Sequence, residues 1–313
     1  MQPKGTGAFL AQLPDGTTAG GNKRGCYAVD LQMSRDNAAC VAVDNYSVIG
    51  GGHNNWIDSD FGTVSGGCQN CAGSHASVGG GYNNKAGGIA GTVGGGWGNT
   101  AVYQATVAGG VTNNASGNNS AILGGTSNNS SGTSSMVVGY GSCANGDCSV
   151  ALGYKACNHG RHGSVAIGAH AGIFGSNQAK VQYSIINIGR DTTDATQTVL
   201  HAEGSSCSAA CDNQLHLKSN SAYLFSGQVI ANVTGGGDTH AWEFSGVIKK
   251  GTGNVALVGT PNINDIGYDS GASGWSIAVC ADTTNQALAV CVTGQASTNI
   301  RWGATLRTTE IMH

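Results

Sequence analysis

The sequence predicts an all-β fold: a parallel β-roll of stacked short rungs, followed by a small antiparallel β-sandwich. Three observations carry this reading. Glycine supplies 53 of the 313 residues, far above the usual share of about 7%. Between Tyr46 and Gly172 an apolar residue recurs every 14 or 15 positions, usually with glycine two and three places later. The last part of the chain instead alternates apolar and polar residues in β-branched and aromatic runs separated by turn residues.

Composition removes the competing classes. Collagen needs glycine near one third with abundant proline, and there are only 3 prolines. Disorder needs high net charge and low hydrophobicity, whereas the net charge is −3 and the apolar fraction 40%. With 14 Lys+Arg against 17 Asp+Glu there is no basic excess for nucleic acid. No window approaches 18 consecutive apolar residues, so no membrane-inserted helix is expected. The apolar run Ala8 to Leu13 is too short for a signal-peptide core, which predicts a chain made in a cytoplasm.

Residues 1–45 show no clear repeat, hold the short strand-like segments AVDL and CVAV, and are expected to form an N-terminal attachment or capping segment. Residues 46–172 form the repeat. Its anchors are Ile49, Val64, Val78, Val93, Val107, Ile122 and Val137, and the pattern continues more weakly in SVALGY and SVAIGA. Two positions after each anchor stand Gly51, Gly66, Gly80, Gly95, Gly109, Gly124 and Gly139. Six positions after stand Asn55, Asn70, Asn84, Asn99, Asn113 and Asn128, and eight after stand Ala72, Ala86, Ala101 and Ala115. A helix needs a 3.6-residue period and tolerates little glycine. A period near 14 to 15 fits two short strands and two tight turns, stacked at about 4.8 Å per rung. The glycines are expected to supply positive φ and close backbone approach. The asparagines are expected to stack as an amide ladder that satisfies turn groups. The Val/Ile and Ala columns are expected to fill a thin core. Spacing alone does not set the hand of the roll. So thin a core favours association of chains side by side.

Residues 173–235 read as a connector with the strand-like VQYSIINIG and LHLKSNSAYLFSGQVIANV, and Gly235-Gly236-Gly237 marks a boundary. Residues 236–313 read as the sandwich knob. In it Cys280 and Cys291 fall on one face if TTNQ turns a hairpin, as a shared core position rather than a disulfide. The 11 cysteines, being odd in number, cannot all pair within one chain. Most read as small buried thiols, with Cys143–Cys148 and Cys207–Cys211 as the local pairs open to oxidation. Cys68-x-x-Cys71 lacks a matching second pair for zinc, and no metal or other cofactor is expected.

The segments RGCYAVDLQMSR and YSVIGGGHNN, the V-x-GG-x-x-N units, and the closing NSAYLFSGQVIANV, HAWEFSGVIKKG, WSIAVCADTTNQALAVCVTG and NIRWGATLRTTEI resemble tail fibres of tailed bacteriophages over about Lys4 to Ile311. The repeat with SVALGY and SVAIGA is also similar to the heads of trimeric autotransporter adhesins. The resemblance implies a homotrimer, a left-handed roll, a place in the virion tail with tail or baseplate proteins as partners, and attachment to a host cell-surface glycan or protein through the C-terminal end. The high cysteine content departs from that pattern.

Within this frame the expected function is adhesion without catalysis. The alternatives are a polysaccharide-degrading tail spike and a structural filament or adhesin of cellular origin. Glycosidases need paired carboxylates. The repeat holds Asp58, Asp60 and Asp147, and Asp58/Asp60 with Trp56 and Phe61 reads first as a solvated loop, second as a sugar-contact patch. His159-Gly-Arg-His162 reads first as an exposed polar turn and second as a metal site assembled on a trimer axis. No G-x-S-x-G elbow is present in a strand–helix context. Receptor contact is assigned to knob loops, with Trp242, Tyr268, Trp275 and Trp302 as candidates and at least two of them expected in the core.

Overall fold

The computed structural model describes residues 7–169, 181–202 and 214–312. Among them the fold is all-β, with a single 3-10 turn at Ser270–Ala272 and no α-helix. No helix there is long and apolar enough to cross a membrane. The chain divides into two compact units, residues 1–144 and 145–313.

The first unit is a parallel β-solenoid of about nine turns. One column of two-residue strands begins Phe9–Leu10, Val29–Asp30, Val48–Ile49, Thr63–Val64 and continues in parallel register, Val64 opposite Val78 and Val78 opposite Val93. A second column, Trp56–Ile57 through Cys143–Ala144, forms the opposing parallel sheet. Side chains alternate faces along a strand. The anchors from Ile49 to Val137 therefore turn inward from the first column and Ala72, Ala86, Ala101 and Ala115 from the second, all buried. Large residues on one side and alanine on the other leave room for only a thin core. Stacking starts earlier than Tyr46: the 9–10 and 29–30 strands already pair, and Gln32 opens the polar column by accepting the Asn55 N–H.

Six asparagines form that column. The Asn70 N–H donates to Asn55 Oδ1 at 2.9 Å, and Asn70 Nδ2 donates to Gly66 O at 3.0 Å and to Gly81 O at 2.9 Å. The same set recurs at Asn84, Asn99 and Asn113. The amides are buried, so each deleted side chain strands carbonyl and N–H groups at about 1–3 kcal/mol apiece.

Gly51, Gly80, Gly95, Gly124 and Gly139 take positive φ, as expected, but the expected close approach is not at this column. At Gly66 a Cβ would meet nothing within 4 Å. The close approach falls one residue later. Gly67, at φ +83°, would place a Cβ 2.3 Å from Gly81 O and 2.7 Å from Asn70 Nδ2, and Gly81 and Gly96 repeat the arrangement. The turns also place non-glycine residues at positive φ in two columns, among them Tyr46, Phe61, His75, Ala90 and Gln104 in one and Asn54, Gln69, Asn83 and Thr112 in the other. Rung-to-rung bonds hold them there, as when Phe61 N–H donates to Asn45 O and Gln69 N–H to His53 O.

In the second unit, Val150–Tyr154 and Val165–Ala169 pair in parallel. The sheet then turns antiparallel through Val181–Thr192, Ile300–Met312, Ser221–Val233, Thr239–Lys250 and Val255–Tyr268. Two connector strands are thus integral to this sheet, and Gly235–Gly237, expected as a boundary, is the turn of a hairpin. A smaller sheet joins Thr198–Val199, Ala287–Thr293, Leu215–His216 and Ser276–Asp282. Both sheets contribute to one core that includes Phe225, Trp242, Phe244, Trp275, Val290 and Trp302.

The glycine contrast is directly measurable. Gly67→Ala is expected to destabilise the solenoid by about 3 kcal/mol through backbone strain and overlap. Gly66→Ala, one residue away, is expected to cost under about 1 kcal/mol. Urea unfolding of the two variants checks the order.

Candidate functional site

Of the four aromatic candidates for receptor contact, with at least two expected in the core, three are core. Trp242, Trp275 and Trp302 are 3%, 4% and 1% exposed. Trp242 stacks on Trp302, with centroids 5.7 Å apart, and Trp302 Nε1 donates to Thr192 Oγ1. Strand phase turns Trp242 and Trp302 inward, and Trp275 is buried just ahead of the strand Ser276–Asp282. Only Tyr268 is exposed. It lies at the end of the edge strand against His240, whose Nε2 is 2.9 Å from Asp265 Oδ1.

Asp58 and Asp60 do not make a catalytic pair. Asp60 Oδ1 accepts the Asn45 N–H at 2.8 Å and so caps a turn of the rung below, while Asp58 is exposed. The sugar-patch reading of Phe61 also fails on geometry. Tyr27, Tyr46, Phe61 and His75 form a stack with successive centroids 4.9, 5.0 and 4.8 Å apart, so the faces of Phe61 are covered.

The His159–His162 segment is not an exposed turn. Arg161 is fully buried and pairs with Glu310 Oε1 at 3.0 Å, across 149 positions of sequence. Burial pushes the Glu310 carboxyl up, but the charge of Arg161 and the hydroxyls of Thr308 and Ser184 outweigh it and hold Glu310 below the usual range. Burial, then the charge of Arg161, holds His159 down at about 3. His162 faces Asp147 instead, Nδ1 to Oδ2 3.6 Å. No group of three or more metal-ligating side chains occurs among the described residues. Cys143 and Cys157 each stand in a disulfide while Cys148 is free, so the Cys143–Cys148 pair does not form; Cys207–Cys211 lies outside the described residues. Cys280 and Cys291 are free, with sulfurs 3.4 Å apart across the hairpin.

The groups that do converge lie on the outward face of the long-stranded sheet. Gln228, Glu243, Asn262, Thr305 and Arg307 come from four different strands and line a cleft of about 260 Å³. Glu243 accepts from Asn264 Nδ2 at 3.3 Å, and Arg307 makes no ion pair among the described residues. A second hollow of about 520 Å³, lined by Ile230, Ala241, Ile266 and Gly303, shares Gln228 and Thr305 with it. One carboxylate for proton transfer, one guanidinium for an anionic group, and amides and hydroxyls for sugar hydroxyls make a surface suited to an acidic polysaccharide. Hydrolysis by two carboxylates is not what this cleft holds, since Glu243 is its only acid. No spacing in the sequence marks these residues; only strand pairing gathers them.

No protein-family model matches this sequence, and no curated protein does. Among solved structures, the chain is similar to the tailspike protein gp49 of Acinetobacter baumannii bacteriophage Fri1, described as a capsular polysaccharide depolymerase. The identity is 7% and the TM-score 0.27, with 93% of this chain and 70% of that one covered. It is also similar to the tailspike protein of Acinetobacter phage vB_ApiP_P1, at 10% identity and TM-score 0.20, covering 90% of this chain and 64% of that one. The expectation of a chain without enzymatic activity is withdrawn on the first of these findings.

The buried histidine gives a pH signature. The unfolded chain protonates His159 near 6.5 and the folded chain only near 3. Between these values the unfolded state binds more protons, so stability falls as pH falls, by up to about 1.4 kcal/mol per pH unit. His159→Gln is expected to flatten that slope in denaturant titrations between pH 6 and pH 4.

Proposed function

We propose that this chain is the receptor-binding protein of a phage tail, and that it binds and cleaves an acidic polysaccharide of the host surface. The observation that carries the reading is the cleft in which Glu243 and Arg307 meet amide and hydroxyl side chains on the outward sheet face. Arg307 pairs with a carboxylate of the polymer, and Gln228, Asn262 and Thr305 bond its hydroxyls. Glu243 takes the proton from the carbon beside that carboxylate and passes it to the leaving sugar oxygen, so the carbon–oxygen bond breaks by elimination and a carbon–carbon double bond forms in the sugar ring. The resemblance of the repeat and closing segments to phage tail fibres supports the tail location. Tyr268 remains as an exposed aromatic contact at the sheet edge.

The test is incubation of the purified chain with host capsule or lipopolysaccharide. Release of oligosaccharides is expected, reduced about 10²-fold or more in Glu243→Gln. In Arg307→Ala the apparent affinity for the polymer is expected to weaken. Absence of any released fragment overturns the catalytic part of the reading.

The same reading includes a homotrimer with a left-handed solenoid and an antiparallel sandwich knob. Its support is the thin core together with Ile89, Tyr103 and Leu123, each more than half exposed on the solenoid. Sedimentation is expected to give a mass three times 31.2 kDa; a stable species at 31.2 kDa removes the trimer.

A further inference from the structure

We propose that Cys68, His53 and Asp36 form a second reactive site on the solenoid, in which Cys68 takes acyl groups from O-acylated sugars. His53 Nδ1 lies 3.5 Å from Cys68 Sγ, and His53 Nε2 lies 3.3 Å from Asp36 Oδ1. The three groups therefore stand in line: nucleophile, base and orienting carboxylate. A proton on Nε2 faces the carboxylate and leaves the Nδ1 lone pair toward the thiol. Asp36 is itself held, because Asn54, in a left-handed turn, donates to it from Nδ2 and accepts the Asp36 N–H. The line is half open to solvent, with the His53 side chain 35% exposed.

The rest of the column supplies the ligand class. His53, Cys68, Tyr82 and Trp97 bridge in parallel on consecutive rungs, so their side chains follow one another at rung spacing. Tyr82 and Trp97 are about half exposed, and their rings meet at 62° with centroids 6.4 Å apart. The two rings are tilted and half open to solvent, unlike the parallel stack of the Tyr46–Phe61 column. An aromatic face beside a nucleophile suits a sugar ring carrying an ester.

The chemistry balances with water alone. The Cys68 thiol gives its proton to His53 Nδ1, and the sulfur attacks the ester carbonyl. The carbon–oxygen bond breaks, the sugar oxygen leaves with the proton from His53, and a thioester remains. Water then attacks the thioester while His53 accepts its proton and returns it to sulfur, releasing the carboxylic acid. The other thiols differ. Burial pushes Cys71 up to about 12, and Cys280, held at about 7 by hydrogen bonding with Cys291, faces another thiol rather than a base.

The experiment uses the full chain with p-nitrophenyl acetate, reading nitrophenol release and the acetylated peptide by mass spectrometry. Turnover with a transient acetyl group on the Cys68 peptide is expected. Cys68→Ser loses the adduct, and His53→Ala slows turnover about 10²-fold or more. Asp36→Asn lowers kcat with KM unchanged, and Asp36→Glu restores it. Trp97→Ala raises KM for cellobiose octaacetate but not for p-nitrophenyl acetate. The column accepts Ser, His, Cys, Tyr, Trp, Val and Thr at equivalent places, so changes at 53, 68 and 97 are expected to leave the fold intact; a thermal melt checks this for them and for the Asp36 variants. Cys26→Ser serves as the control. Acetylation of Cys68 at an unchanged rate in His53→Ala, or full turnover in Cys68→Ser, overturns the proposal.

Discussion

The asparagine column is the interaction on which the solenoid rests. Each rung has two sharp turns and only a few inward side chains, so its buried backbone groups outnumber what a thin Val/Ile and Ala core can offset. The side-chain amide resolves this. It bonds within its own rung, as Asn70 does to Gly66 O, and to the next, as Asn70 does to Gly81 O. A peptide-like group thereby stands in for the strand neighbour that a turn lacks. The glycine preceding the turn, Gly67 or Gly81, is dictated by this bond: the amide nitrogen and the carbonyl of the next rung occupy the space a Cβ would need.

Much of the solenoid was legible because its constraints are local and recur at one period. The asparagine and Val/Ile columns do what their spacing implies. The glycine column chosen from spacing supplies positive φ at Gly51, Gly80, Gly95, Gly124 and Gly139, while the close approach to the next rung's carbonyl falls one residue later, at Gly67 and Gly81, which periodicity alone does not distinguish. The left-handed turns at Phe61, His75 and Gln104 left no mark because non-glycine residues fill them, held by backbone bonds from the rung below. In the second unit the strands could be read, but which face each turned inward could not. That is why Trp242, Trp275 and Trp302 were candidates for a surface they do not reach. Arg161 and Glu310 are too far apart in sequence for any motif to join them.

The two reactive regions show the same division. The cleft around Glu243 and Arg307 depends on four strands brought together by pairing, so nothing in the linear order announces it. Cys68, His53 and Asp36 lie in successive rungs, and the rung period alone sets His53 beside Cys68. The solenoid thus turns residues 15 apart into neighbours, as a helix does for residues 4 apart.

Each amide in the ladder bonds within its own rung and, beyond it, only to the rungs directly above and below. A whole unit of 14 or 15 residues could therefore be duplicated or deleted with every remaining bond keeping its type and length. Length in this part of the molecule is a freely adjustable quantity, like links in a chain, and a lineage could change its reach by recombination within the gene without inventing a new core.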